Sequence, residues 1–287
     1  MKKVIRVGIL GFGTVGTGVA KILIRQAALL SKRAGRKIEL AKVADIKFKP
    51  VKGFNLPKAI QVKDAKAVIN DPKIDILVEV IGGVKPAREF ILAALNKGKH
   101  VVTSNKEVIA KHGPEFLKAA EKNKVNIFYE AAVAGGIPII HALKKCLAAN
   151  KIISFYGIVN GTTNFILSKM EKEGRDFNDV LKEAQALGYA EADPTADVDG
   201  YDAAYKLAIL AFTAFHQYVP YQNIYFEGIR KISARDIELA KQFGYTIKLL
   251  AMGKENKGKI ELRVSPLMIP QNHPLAAVQD AYNAIYV

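Results

Sequence analysis

The sequence holds a single cysteine, Cys146, and far fewer acids than bases. It has no uninterrupted apolar run near the ~20 residues that cross a bilayer. One cysteine cannot staple the fold internally, which fits a reducing compartment. Its neighbours, Leu143-Lys144-Lys145-Cys146-Leu147, read as one turn of an amphipathic helix, the setting of a structural thiol rather than a nucleophile. Met1-Lys2-Lys3-Val4 runs straight into a strand-like segment and leaves no room for a leader. A soluble cytoplasmic protein with no membrane association is expected.

Lys+Arg 43 against Asp+Glu 27 gives a net charge of +16. A nucleic-acid binder would gather that charge into a stripe or arm with interleaved aromatics. Here the lysines are spread along the chain, and the densest patch, Lys47, Lys49, Lys52 and Lys58, follows the second expected strand. A solvated basic surface that attracts anionic small molecules accounts for this without a nucleic-acid partner. At 287 residues, the chain has room for one large domain or two of ordinary size.

The first half alternates strand and helix. Val4–Leu10 is β-rich and mostly apolar, as a buried parallel strand should be. Further strands are expected at 38–44, 74–81, 100–103 and 125–129, with helices at 87–97 and 106–123. This alternation predicts a doubly wound parallel sheet. The loop Gly11-Phe12-Gly13-Thr14-Val15-Gly16 follows the first strand and opens a helix, the context in which GxGxxG signals dinucleotide binding. Gly11 permits the tight turn, Gly13 the approach of a pyrophosphate, and Gly16 close helix–strand packing, while the helix N-terminus favours phosphate. The second strand ends in Ala44-Asp45, an acid suited to the adenosine ribose hydroxyls. Asp45 falls later than the usual ~20-residue spacing, so a long first helix over 17–36 is expected.

Special residues gather where the later strands end. Glu79-Val80-Ile81-Gly82-Gly83 and Thr103-Ser104-Asn105-Lys106 both fall on the carboxyl edge of the sheet, the ligand side. Lys106 would stand at a helix start, where the dipole opposes a cation, and that mismatch points to a functional role. Glu130 precedes the turn Ala134-Gly135-Gly136-Ile137-Pro138, which could hold a hard cation through oxygens or serve as a connector. Further on, Glu191, Asp193, Asp197 and Asp199 crowd one block without EF-hand spacing. If a helix starts near Asp199, Asp202 and Lys206 share one face at i and i+4. Such a pair can be an ordinary exposed ion pair or can position an amine for proton transfer. The surrounding acids suit the ammonium group of an amino-acid-like substrate.

With GFGTVG, EVIGG, TSNK, YEAAVAGGIP, NGTTNFIL and GYAEADPTADVDGYDAAYK in this order, the sequence resembles homoserine dehydrogenase over nearly its whole length. The resemblance implies reversible NAD(P)H-dependent reduction of L-aspartate 4-semialdehyde to L-homoserine, in threonine and methionine biosynthesis. By position it implies an active-site lysine at Lys106, a proton donor at Lys206 and an orienting carboxylate at Asp202. It places substrate near Glu191, Asp197, Tyr189 and Thr162. It places cofactor against Gly11, Phe12, Gly13, Thr14, Val15, Gly16, Ala44, Asp45, Gly82, Thr103, Ser104 and Lys106. A monovalent cation, sodium in the family, falls to Glu130, Val133, Gly135 and Ile137, and the family comparison favours that reading of the loop.

A protonated lysine can polarise a carbonyl and deliver its proton, and the reverse reaction needs the neutral amine, so alkaline pH should favour homoserine oxidation. Many relatives carry an arginine where this chain has Ala44, so NAD or dual specificity is expected. The family also continues past the position of Val287 with a segment that returns to the nucleotide domain. No ACT-type feedback site is inferred. A phosphorylating semialdehyde dehydrogenase would need an activated cysteine, which the setting of Cys146 does not offer. A cofactor-binding sensor without turnover is the non-enzyme alternative.

The expected organisation is a dinucleotide-binding domain over 1–134 and an α+β substrate and dimerisation domain over 135–287. The second should hold a mixed or antiparallel sheet from 152–160, 246–252 and 259–264, with helices near 163–172, 178–186 and 201–214. The resemblance implies a homodimer.

Overall fold

In a computed structural model that describes residues 3–287, the first half forms six parallel strands with helices between them. The chain divides after Ala132 into two units. The first contains β1 (Val4–Leu10), α1 (Thr14–Arg25), α2 (Ala27–Ala34), β2 (Lys37–Ala44), β3 (Gln61–Val62) and α3 (Lys66–Ile69). It continues with β4 (Ile76–Glu79), α4 (Ala87–Asn96), β5 (His100–Thr103), α5 (Lys106–Lys122) and β6 (Ile127–Phe128). The sheet order β3-β2-β1-β4-β5-β6 reverses direction at β1, as in a doubly wound dinucleotide fold. The core follows from the apolar strands: Val7, Ile9, Leu40, Val43 and Val78 are buried together against Val19 and Leu23 of α1.

The single helix expected over 17–36 is a correction. The structure has two helices there, with Gln26 at the break (φ −109°, ψ 19°). The preceding Arg25 donates its guanidinium to the Gly53 carbonyl, which ties the end of α1 to the loop after β2. Helix α2 buries no residue and ends at Gly35, whose left-handed φ of 64° closes it.

The second unit contains α6 (Ile139–His141), which runs into a π-helical turn over Ala142–Cys146, then β7 (Ser154–Ile158), α7 (Gly161–Glu173) and α8 (Phe177–Ala186). After these come α9 (Thr195–Val198), α10 (Tyr201–Phe215), β8 (Tyr225–Phe226), α11 (Ala234–Gln242), β9 (Tyr245–Asn256), β10 (Lys259–Pro270) and β11 (Ala284–Tyr286). The sheet order is β11-β7-β9-β10-β8, antiparallel except for the β8–β10 pair, so the mixed sheet expected of this half is present. Cys146 is exposed at the end of the π-helical turn.

One core position of this sheet is a charge. Lys248 of β9 is 0% exposed, and its ammonium donates to Val278 O (2.6 Å), Asn164 Oδ1 (3.1 Å) and Ser168 Oγ (3.4 Å). Burial lowers its pKa to about 8, against the raising influence of Glu171 and Asp280. Asn164 in turn donates to the carbonyls of Val278, Asp280 and Tyr282, holding the stretch that leads into β11. No helix among the described residues is long and apolar enough to cross a membrane.

Candidate active site

In the first unit, the glycine loop lies at the carboxyl end of β1, tied by Gly11 N to Ala44 O (2.9 Å) and by Thr17 N to Gly13 O (2.9 Å). Gly11 has φ +99°, open to glycine at little cost. A Cβ on Gly16 would sit 1.9 Å from the Gly11 carbonyl oxygen, so helix α1 approaches the strand only because Gly16 has no side chain. A Cβ on Gly13 would meet nothing within 4 Å, because Gly13 faces open space. Thr14 and Val15 are exposed in the first turn of α1, while Phe12 is buried.

Asp45 closes onto this loop. Its Oδ2 accepts from Phe12 N (2.5 Å) and its Oδ1 from Lys47 N (2.8 Å). Gly11, Gly13, Ala44, Asp45, Lys63 and Ile81 are among the residues lining a cleft of about 540 Å³. The cleft therefore combines an exposed helix N-terminus, a fixed carboxylate and apolar walls. That is the donor set a dinucleotide needs for its pyrophosphate, ribose and adenine.

Beside it, β4 and β5 place Glu79 opposite Thr103 in register. Glu79 is 0% exposed; it accepts from Thr103 Oγ1 (2.7 Å) and Ile81 N (2.9 Å). Burial pushes its carboxyl up, and the hydrogen bonds from Thr103 and the Ile81 and Gly82 backbones oppose that. Thr103 Oγ1 also accepts from Asn105 N (3.0 Å), and Asn105 Nδ2 donates to Gly83 O (2.6 Å). The buried acid thus locks the Gly82–Gly83 turn to the Thr103–Lys106 turn. The Thr103 hydroxyl is spent inside this lock, Ser104 is partly exposed, and Lys106 is the first residue of α5, capped by Asn105. Glu79 was not among the expected site residues; its place in EVIGG was legible, its burial was not.

In the second unit, Asp202 and Lys206 share one face of α10, with Lys206 Nζ 2.6 Å from Asp202 Oδ2. Lys206 also donates to Val159 O (2.7 Å) at the end of β7. Asp202 is 2% exposed, so this is a sheltered pair rather than an ordinary surface one. Asp197 joins the cluster, 3.4 Å from Thr162 Oγ1, and Thr162 Oγ1 donates to Tyr189 O (2.6 Å). The Tyr189 ring packs on Phe165 with centroids 4.7 Å apart. Glu191 is exposed, with its main-chain carbonyl accepting Gln185 Nε2 (3.0 Å). Asp199 is drawn aside by an ion pair to Arg230. Asn160, which is not among the expected site residues, donates its Nδ2 to both Asp197 Oδ1 (2.7 Å) and Asp202 Oδ2 (2.8 Å).

Glu130 ends the first unit in a short 3-10 turn, and Val133, Gly135 and Ile137 begin the second. Ala134 and Gly135 are both left-handed (φ 56° and 57°), which turns the chain sharply there. Among the described residues, no group of three or more His, Cys, Asp or Glu side chains could hold a metal ion.

Residues 11–130 match the NAD binding domain of homoserine dehydrogenase, and residues 138–287 match the homoserine dehydrogenase family itself. The chain belongs to the homoserine dehydrogenase family. A homoserine dehydrogenase of Corynebacterium glutamicum is 50% identical over 98% of this chain, which spans 64% of that relative's length. The crystal structure of a homoserine dehydrogenase from Thiobacillus denitrificans is similar with a TM-score of 0.91 at 47% identity, covering 99% of this chain and 65% of that one. A hyperthermophilic archaeal homoserine dehydrogenase in complex with NADPH is similar with a TM-score of 0.79 at 28% identity, covering 98% of this chain and 87% of that one. The chain thus spans slightly less than two thirds of the length of the curated bacterial relatives it matches.

Proposed function

We propose that this protein is an NAD(P)-dependent homoserine dehydrogenase, interconverting L-aspartate 4-semialdehyde and L-homoserine in the cytoplasm. The observation that carries the reading is the sheltered Asp202–Lys206 pair within the acidic block of the second unit. An ammonium has three donors. Asp202 Oδ2 and Val159 O engage two of those on Lys206, which leaves one N–H for a substrate oxygen.

When bound, a nicotinamide cofactor would supply the hydride for the aldehyde carbon. Lys206 gives its proton to the carbonyl oxygen in that direction and takes the hydroxyl proton in the other, while Asp202 holds the amine in place. Glu191 and Asp197 bind the substrate ammonium, with Tyr189 and Thr162 beside them. Lys106, at the start of α5, borders the cofactor as the active-site lysine that the resemblance implies.

Gly11–Gly16 and the N-terminus of α1 would hold the pyrophosphate, Asp45 the adenosine ribose, and Gly82, Thr103 and Ser104 the nicotinamide side. Ala44 in place of a phosphate-gripping cation supports NAD or dual specificity. The oxygens of Glu130, Val133, Gly135 and Ile137 are hard donors along one short segment and suit a monovalent cation such as sodium. We include that ion and a homodimeric assembly in the proposal.

The test is NAD(P)H formation with L-homoserine, with L-serine and L-threonine as controls. Repeating the assay in sodium and in choline salts examines the cation, and light scattering the dimer. Equal rates with all three amino acids, or none with homoserine, would reject the reading.

A further inference from the structure

Asn160 is buried at the junction of β7 and α7, and both its amide oxygen and its amide nitrogen are engaged. Its Oδ1 accepts from Thr163 N (2.8 Å), the N-cap bond of α7. That bond orients the amide, so both Nδ2 protons must point the other way. They go to two different carboxylates, Asp197 Oδ1 at 2.7 Å and Asp202 Oδ2 at 2.8 Å. The same Asp202 oxygen receives Lys206 Nζ at 2.6 Å. Val159, the residue before Asn160, supplies the second acceptor for that ammonium at 2.7 Å. One dipeptide therefore sets both contacts of Lys206, one through its backbone and one through the amide.

We propose that Asn160 is a positioning residue for proton transfer, holding the Asp202 carboxylate on Lys206 and coupling it to Asp197. The inference rests on the reading in which Lys206 exchanges the substrate proton. A helix cap alone does not call for asparagine, since aspartate and serine cap about equally well. Only the amide can accept from the helix and also donate to two acids. With the donor gone, more of the Oδ2 charge falls on Lys206, while the carboxylate loses the bond that fixes its angle toward the amine. An aspartate at this place would add a third carboxylate to the cluster and favour the ammonium form of the lysine further.

The test uses Asn160→Asp and Asn160→Ser, both of which keep the cap, so that lost folding and lost positioning are separable. The Lys206 ammonium is titrated in the ligand-free chain by lysine-labelled NMR, assigned with Lys206→Arg, and homoserine oxidation is measured across pH. In Asn160→Asp the Lys206 titration moves up by about half a pH unit or more, and in Asn160→Ser by less. The midpoint of the oxidation profile moves with it. In both variants kcat falls ~10-fold while KM stays within about threefold, the split expected when positioning rather than binding is lost.

Wild-type titration and wild-type kcat in both variants would overturn the proposal and leave the homoserine reading intact. A wild-type chain that never turns over homoserine would end that reading, while the titration would still decide the role of Asn160.

Discussion

Lys206 Nζ lies 2.6 Å from Asp202 Oδ2, one turn earlier on the same helix, and the carboxylate is 2% exposed. A pair on a wet surface would contribute little, but a sheltered one fixes where the amine points. Asp202→Asn keeps the shape and removes the charge. Homoserine turnover should fall ~10²-fold with KM much less affected, in keeping with general acid–base contributions. Steady-state kinetics beside a thermal melt checks this, and an unchanged kcat would remove Asp202 from the mechanism.

The glycine loop separates into a structural and a ligand-facing glycine. Gly16→Ala drives a Cβ to 1.9 Å from the Gly11 carbonyl and should destabilise the first unit by ~1–3 kcal/mol. Gly13→Ala meets no protein atom and should leave the melt unchanged while weakening NAD(P) binding at least tenfold. Calorimetric titration with each dinucleotide distinguishes the two. Equal affinity for Gly13→Ala and wild type would show that the loop does not approach a pyrophosphate.

In the proposed site, cofactor choice would turn on Ala44 and Asp45. The Asp45 carboxylate is pinned between Phe12 N and Lys47 N, so its orientation is fixed before any ligand arrives. NAD should give kcat/KM equal to or above that of NADP, and Asp45→Asn should shift the ratio toward NADP. A strong NADP preference in the wild type would contradict this account.

Lys248 gives a pH signature of stability. Its pKa is about 8 in the fold and near the ordinary lysine value of 10.5 in the unfolded chain. Between those values the unfolded state binds more protons, so stability rises with pH. Below about pH 8 the buried charge is a full burden. Compared with Lys248→Met, the wild type should gain roughly 2–3 kcal/mol between pH 7 and pH 10 in urea unfolding. Parallel pH dependences for the two proteins would refute it.

The parallel sheet was readable because its strands are apolar runs separated by helical periods, and the sheet edge carrying Gly11, Asp45, Gly82 and Lys106 followed from their order. Strand β3 was not, since Gln61–Val62 is too short for any periodicity. The hairpin of β9 and β10 runs past the expected ends because Pro266 and Pro270 resemble breakers, yet both lie within β10. The break at Gln26 goes with Arg25 reaching Gly53, a contact invisible in local sequence. Asp202 and Lys206 were placed by helical spacing alone. Asn160 was not, because its partners lie 37 and 42 residues further along the chain.

The most direct test of the whole account is the initial rate of NAD(P)H formation from L-homoserine at 340 nm, for wild type and Lys206→Met, from neutral to alkaline pH. The account predicts turnover by the wild type that rises with pH, and a Lys206→Met rate at least ~10²-fold lower with a flattened profile. Undiminished, pH-dependent turnover in Lys206→Met would contradict it.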